Sequence, residues 1–206
     1  VYAFVYVYLV PLLIVVTALQ RFLELSRSRT NQGEMRREGF ARVDSPKSYI
    51  CMVLVHSTWF VAIIFERYTR DWLPSPIVFV SALTIFFLAQ FLRAWAITSL
   101  GMQWNVQVMA PSFHTEDPGV VATGPYRYVR HPNYLAVILE FLSLPLLAGT
   151  PLTAAIWTVL NGAVLWFRIR AEESSLFKRP GYRELFGDTP RLIPSVLRKP
   201  RQAGKV

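Results

Sequence analysis

The sequence predicts an all-α, polytopic integral membrane protein with about five spanning helices, and three observations predict it. Of its 206 residues, 53% are hydrophobic and 17% charged, with a positive mean hydropathy of +0.33; ordinary globular chains carry about 25% charged residues. Five apolar segments meet or approach the roughly 20 residues a helix needs to cross a bilayer. The charges gather between those segments rather than along one face. A net charge of +9 and a pI near 10.1 therefore point to an anionic membrane surface and not to nucleic acid.

The first segment, Tyr2 to Leu19, is rich in Val, Leu and Tyr. No basic region precedes it and no small-residue cleavage site follows, so it reads as a retained span rather than a signal peptide. The charged stretch Arg21 to Lys47, with Glu24, Glu34 and Glu38 among its arginines, looks like a helix continuing out of the membrane. It is either a solvated interfacial helix or a wall of a substrate entrance. Ser45-Pro46 introduces the second span, Tyr49 to Phe65, and the third runs from Ile77 to Leu100. Alternation over Trp104 to Met109 predicts a strand or an extended lid, and Asp117-Pro118-Gly119 a turn. The fourth and fifth spans, Tyr134 to Ala148 and Leu152 to Phe167, are short and joined only by Gly149-Thr150-Pro151, which makes them an antiparallel hairpin. The end, Lys199 to Val206, reads as a frayed basic tail. Together these segments form a single domain, with three N-terminal spans in 1–100 and the chemistry in 101–198.

Positive charge fixes an expected orientation. Seven Lys/Arg lie between Arg21 and Lys47, ten after Phe167 and two in the loop from Gly101 to Asn133, against two between Arg67 and Ser75. Nineteen therefore fall on one side and two on the other, which puts the N-terminus outside and both polar clusters on the cytoplasmic side. Two charges sit inside spans, where lipid makes an unpaired charge costly. Arg93 and Glu140 lie about seven residues from the cytoplasmic ends of their helices, about 10 Å deep. That matched depth predicts an Arg93–Glu140 ion pair.

Several familiar sites are missing: no Gly-x-Gly-x-x-Gly, no phosphate loop, no His-Glu-x-x-His and no Gly-x-Ser-x-Gly. Three scattered histidines and the lone Cys51 predict neither a metal site nor a disulfide. What remains is Gly124 to Tyr134, which holds Tyr126, Arg127, Arg130 and His131, facing Arg168, Glu172 and Glu173 across the hairpin. Pro132 can open the fourth helix at its first position, where free backbone N–H groups favour an anion. Glu172 lies four residues after Arg168 and four before Leu176, so the three share one helix face. Read as residues alone, the two clusters are either a site or an interfacial belt of tyrosine and arginine on lipid headgroups.

Gly-Pro-Tyr-x-x-x-Arg-His-Pro-x-Tyr-Leu at 124–135, Arg-x-x-x-Glu-Glu-x-x-Leu at 168–176 and Tyr182-x-x-Leu185 resemble the isoprenylcysteine carboxyl methyltransferase family. So do Leu92-Arg-Ala-Trp95 and Leu100-Gly-x-x-Trp104 upstream. The resemblance implies S-adenosylmethionine as cofactor, bound without a Rossmann fold in a cytoplasmic pocket made by the last two helices, the preceding loop and the tail. It implies that Tyr126, His131, Pro132, Tyr134, Leu135, Glu173 and Leu176 bind the cofactor. Arg130 and Glu172 are then catalytic, and Arg93, Trp104 and Arg168 contact the substrate. Expected partners are a lipophilic or lipidated acceptor and membrane lipids, with no nucleic acid and no protein partner. The stretch Leu25 to Asn31 is similar to short bacterial members, some of which act on alkylpyrones, and implies a bacterial inner membrane. The expected reaction is methyl transfer to an anionic oxygen of isoprenylcysteine type. The alternatives are alkylpyrone O-methylation, N-methylation of a phospholipid headgroup, and a non-enzymatic membrane interaction protein. A small transporter and a membrane reductase of the sterol type are more distant rivals.

Overall fold

Proline and serine set where the helices begin. The computed structural model describes residues 2–70, 72–111 and 119–194, the first four of them as backbone only. Its long helices are α1 (Tyr2–Arg37), α2 (Pro46–Thr69), α3 (Pro76–Leu100), α4 (Pro132–Leu147) and α5 (Pro151–Leu176). Four of these five start on a proline, whose missing N–H and fixed φ suit the first helical position. Ser45 and Ser75 cap α2 and α3 by accepting from the amides of Lys47 and Val78. The turn expected at Asp117-Pro118 and the tail expected from Lys199 lie outside the described residues.

Two helices outrun their apolar segments, as the charged stretches beyond them led us to expect. The helix continuing past Leu19 is there: α1 runs on to Arg37, 36 residues or about 54 Å. Beyond Phe167, α5 also continues to a total of 26 residues and carries Arg168, Glu172, Glu173 and Leu176 on its own last turns, on the helix face expected for Arg168, Glu172 and Leu176. Charged residues ended the apolar runs but not the helices. By length and composition α1, α2, α3 and α5 can each cross a membrane; α4, with 16 residues, is a shorter apolar helix. An outward belt of Val7, Leu12, Leu54, Ile64, Val80, Phe91, Val159 and Phe167 is exposed on the bundle, as lipid-facing positions are. The chain is an integral membrane protein with this all-helical fold.

The core lies where α2, α3 and α4 meet, with Trp59 stacked on Phe141 at 4.2 Å between ring centroids and His56 edge-on to the same ring. At one end of the bundle, buried Glu66 accepts from the amides of Leu152 and Thr153 at 3.1 and 2.7 Å, holding the start of α5. Tyr6 donates to the Ala148 carbonyl at the same end. Gly149 must be glycine there. Its φ is +72°, and a Cβ would stand 2.4 Å from the Trp72 carbonyl oxygen. At the opposite end, strand β1 (Phe40–Arg42) pairs antiparallel with β2 (Met109–Pro111), tying the α1–α2 connection to the α3–α4 loop. The strand foreseen over 104–109 therefore begins at the last residue of that stretch. A short helix, α6 (Tyr182–Phe186), closes that end.

Candidate active site

The residues of the two sequence clusters meet at the β-ribbon end. Gly124, at φ +59°, brings its backbone so close to α3 that a Cβ would stand 2.1 Å from Ser99 Oγ, which seats the short 3-10 turn Gly124–Arg127 and buries Tyr126. Pro132 then starts α4, with His131 as the residue before it. Tyr134, one turn in, donates from its hydroxyl to Glu172 Oε2 at 2.6 Å. Its ring stacks on His131, whose Nε2 lies 3.2 Å from Glu173 and Nδ1 3.9 Å from Glu172. Arg168 is buried; one nitrogen donates to the Val106 carbonyl at 2.5 Å, while Nε and Nη1 have no hydrogen-bond partner.

Two cavities flank these residues. One has a cavity volume of about 130 Å³ and is lined by Tyr126, Arg130, His131, Tyr134, Glu172, Leu176 and Arg168, with Met35 and Phe40 from the N-terminal half. The other has a cavity volume of about 310 Å³ and is mainly apolar, with Phe22, Leu25, Met52, Val53, Phe60, Val137 and Leu165 around it. Both are partly open. They share five residues: Trp104, Asn105, Asn133, Tyr134 and Arg168. Of the residues expected to bind cofactor, Pro132, Leu135 and Glu173 are not on the polar cavity's lining. Glu173 is instead buried against two arginines and a histidine, 3.1 Å from Arg130, 3.2 Å from His131 and 2.7 Å from Arg191.

Of the amides expected to be free at the start of α4, those of Tyr134 and Leu135 donate to the His131 carbonyl at 3.1 and 3.2 Å, and the two amides just before the helix are also taken. Arg130 N donates to the Pro190 carbonyl at 2.9 Å and His131 N to that of Arg191 at 3.0 Å. A C-terminal strap thus runs under the Arg130-His131 segment. Arg191 stands alone in its stretch of sequence and gave no signal of this. Asn105 and Asn133 were also missed, although Asn133 lies inside the motif. Burial, together with the negative charge of Glu172, raises the hydroxyl pKa of both Tyr126 and Tyr182, so both phenols stay protonated at neutral pH.

The Arg93–Glu140 pair does not form. Arg93 binds Glu24, through Nε at 2.6 Å and through Nη2, while Glu140 binds Arg21; Arg21 and Glu24 close the chain at 2.7 Å. The reason is α1, whose Glu24 reaches Arg93 on α3 and whose Arg21 reaches Glu140 on α4, so each charge is met before the two can pair. Matched depth was a sound guide, but a third helix supplies both partners. Arg93, Arg21 and Glu24 all line the apolar cavity.

Similarity to known proteins agrees with this architecture. Residues 82–178 match the model of the isoprenylcysteine carboxyl methyltransferase (ICMT) family. The uncharacterised protein YpbQ of Bacillus subtilis is 32% identical over 167 residues, covering 80% of this chain and 95% of its own length. The chain belongs to the isoprenylcysteine carboxyl methyltransferase family. Within it, the protein-S-isoprenylcysteine O-methyltransferase of Schizosaccharomyces pombe is 32% identical over 122 residues, 56% of this chain and 49% of that one. A solved structure of the eukaryotic intramembrane Ras methyltransferase, isoprenylcysteine carboxyl methyltransferase, shares the fold at a TM-score of 0.56 and 22% identity, covering 74% of this chain and 54% of that one. The chain thus spans about half the length of these two named methyltransferases. Membership of this family implies a methyltransferase. Among the described residues the only sheet is the β1–β2 ribbon, so the fold has no Rossmann domain.

Proposed function

We propose that this chain is a membrane methyltransferase that passes the methyl group of S-adenosylmethionine to an anionic oxygen, of the isoprenylcysteine carboxylate type, on a lipophilic acceptor. The observation that carries the reading is the shared wall: a cavity of mixed polarity and a largely apolar one with Trp104, Asn105, Asn133, Tyr134 and Arg168 common to both. Methyl transfer between a polar donor and a greasy acceptor needs two such chambers and a junction.

The polar chamber suits the donor chemically. Buried Arg130 Nε and Trp104 Nε1 are donors without partners, and Gln107 Oε1 and Asn133 Oδ1 are acceptors without partners, on one lining. A ligand bearing a carboxylate, an ammonium and hydroxyls can satisfy both kinds. Once bound, it supplies a methyl group on a positively charged sulfur. The chain's own residues then bind, orient and exclude water. Glu172, fixed by Tyr134, offers negative charge. Arg168, with two nitrogens unpartnered at the junction, takes the acceptor's anionic oxygen. Arg130, a catalytic candidate from the sequence, lines only the polar chamber and lies against Glu173 and Phe177, so we assign it to the donor side. An ionised acceptor needs no proton removed, and the protonated phenols of Tyr126 and Tyr182 serve as donors. Positioning and desolvation carry the rate.

The orientation follows from charge. The end that gathers 21–47, the α3–α4 loop and the segment after α5 holds nineteen of the Lys/Arg, and we assign it to the cytoplasmic face of a bacterial inner membrane. The test is purified protein in lipid nanodiscs. Calorimetry with S-adenosylhomocysteine should show one-site binding, and methyl-tritiated S-adenosylmethionine should label a base-labile ester in a lipid extract. Absence of both binding and label refutes the reading; label in a base-stable amine moves it to N-methylation.

A further inference from the structure

We infer that Asp44, in the connection between α1 and α2, is a positioning residue that holds Arg168 at the junction of the two cavities. The inference rests on the reading that Arg168 receives the acceptor's anion. It concerns a residue outside the stretch 82–178 that matches the family.

Arg168 is 3% exposed and has two carboxylates near it. Glu172 is one turn further along the same helix, on the polar cavity. Asp44 comes from elsewhere in the chain, 6% exposed, with Oδ2 3.9 Å from Arg168 Nη1. A buried guanidinium between two carboxylates settles where their two attractions balance. Without the Asp44 charge, Arg168 swings toward Glu172 and leaves the wall that faces the apolar cavity. At 3.9 Å the Asp44 contact is too long to be a hydrogen bond, so it attracts the guanidinium without using the Nη1 proton. That proton stays available to an incoming anionic oxygen.

Asp44 is itself fixed. Arg42 donates from Nε to Oδ1 at 2.8 Å and from Nη2 to Oδ2 at 3.3 Å. Val43 N donates to the Val108 carbonyl at 2.9 Å, which ties this segment to the loop whose Val106 carbonyl holds Arg168 Nη2. Ser28 accepts from Val106 N at 2.9 Å and so braces that loop from α1. The N-terminal half therefore aims the arginine, by a charge on one side and through a braced carbonyl on the other.

The test measures anion preference directly. In nanodiscs saturated with S-adenosylhomocysteine, the affinity of S-farnesyl thiopropionic acid is compared with that of its methyl ester. The wild-type protein should prefer the acid at least tenfold. Asp44→Asn should cut that preference to threefold or less, leaving ester affinity and S-adenosylhomocysteine affinity within twofold of wild type. Asp44→Glu should restore most of it. Arg42→Gln, which frees Asp44 without touching Arg168, should give an intermediate preference. An undiminished preference in Asp44→Asn overturns the inference while leaving the proposed function standing. Parallel loss of acid, ester and S-adenosylhomocysteine binding in both Asp44→Asn and Arg42→Gln overturns it too, because Asp44 is then only part of the fold. A wild-type protein that binds S-adenosylhomocysteine but shows no acid preference removes Arg168 from the acceptor site and the inference with it.

Discussion

Removing one carboxylate from the middle of the Arg93–Glu24–Arg21–Glu140 chain should cost more stability than removing that carboxylate together with an arginine. Glu24 touches both arginines, with side-chain exposures of 11% for Glu24, 6% for Arg93 and 0% for Glu140. Glu24→Ala leaves two guanidiniums with one carboxylate in a largely dry space. Breaking a buried pair by removing one partner costs about 3–5 kcal/mol, because the surviving charge is left uncompensated. The double variant Glu24→Met/Arg93→Met leaves the Arg21–Glu140 pair intact and adds apolar volume, so its loss should be about 1 kcal/mol or less, or even a gain. At about 2–4 °C per kcal/mol for a chain of this size, Glu24→Ala should lower the Tm by about 6–20 °C and the double variant should recover most of that. The assay is thermal unfolding in nanodiscs followed by tryptophan fluorescence, with refolding checked. A Glu24→Ala loss below about 1 kcal/mol, or a double variant no better than the single, would show that the four charges do not act as a linked chain.

Other perturbations separate the site's parts. Glu173→Gln should loosen the strap, raising protease cleavage after Phe186 and weakening S-adenosylhomocysteine binding about tenfold, since three charge-assisted contacts weaken at once; unchanged cleavage with weakened binding would instead make Glu173 a direct ligand contact. Gly149→Ala should destabilise by about 1–3 kcal/mol, read by the same unfolding assay, because a positive φ and a clash with the Trp72 carbonyl act together. Reporters fused after residue 206 and within 67–75 should report opposite faces of the membrane, and a cytoplasmic signal from 67–75 would overturn the orientation.

The apolar runs carried most of the fold because lipid imposes a length and a composition on any helix that crosses it. The helices outrun their apolar segments, from Leu19 to Arg37 and from Phe167 to Leu176, because helix propensity does not end where hydrophobicity does. Arg and Glu are good helix formers, so a charged stretch continues the same hydrogen-bond ladder. Tyr126, Arg130, His131, Tyr134 and Glu172 were legible as neighbours because a three-residue turn leaves a hairpin little choice. Asp44, Arg191 and the Arg21–Glu24 insert were not. Each reaches its partner across a tertiary contact between elements distant in sequence, and a lone Asp or Arg in a polar stretch carries no periodicity to reveal it.

The C-terminal strap also sets an order of assembly. All five membrane helices are complete by Leu176, yet the Arg130 and His131 amides are satisfied only by carbonyls at Pro190 and Arg191. During synthesis the helices can therefore insert and pack while the Arg130 and His131 amides still lack these two acceptors. Until Arg191 arrives, Glu173 must share itself between Arg130 and His131 alone, and the Arg130-His131 corner is free to move. Insertion into the membrane and competence of the site are then two separate events in the life of the chain, divided by its final stretch. A polypeptide released at Phe186 would keep its membrane helices and lack the strap that fixes the Arg130-His131 corner.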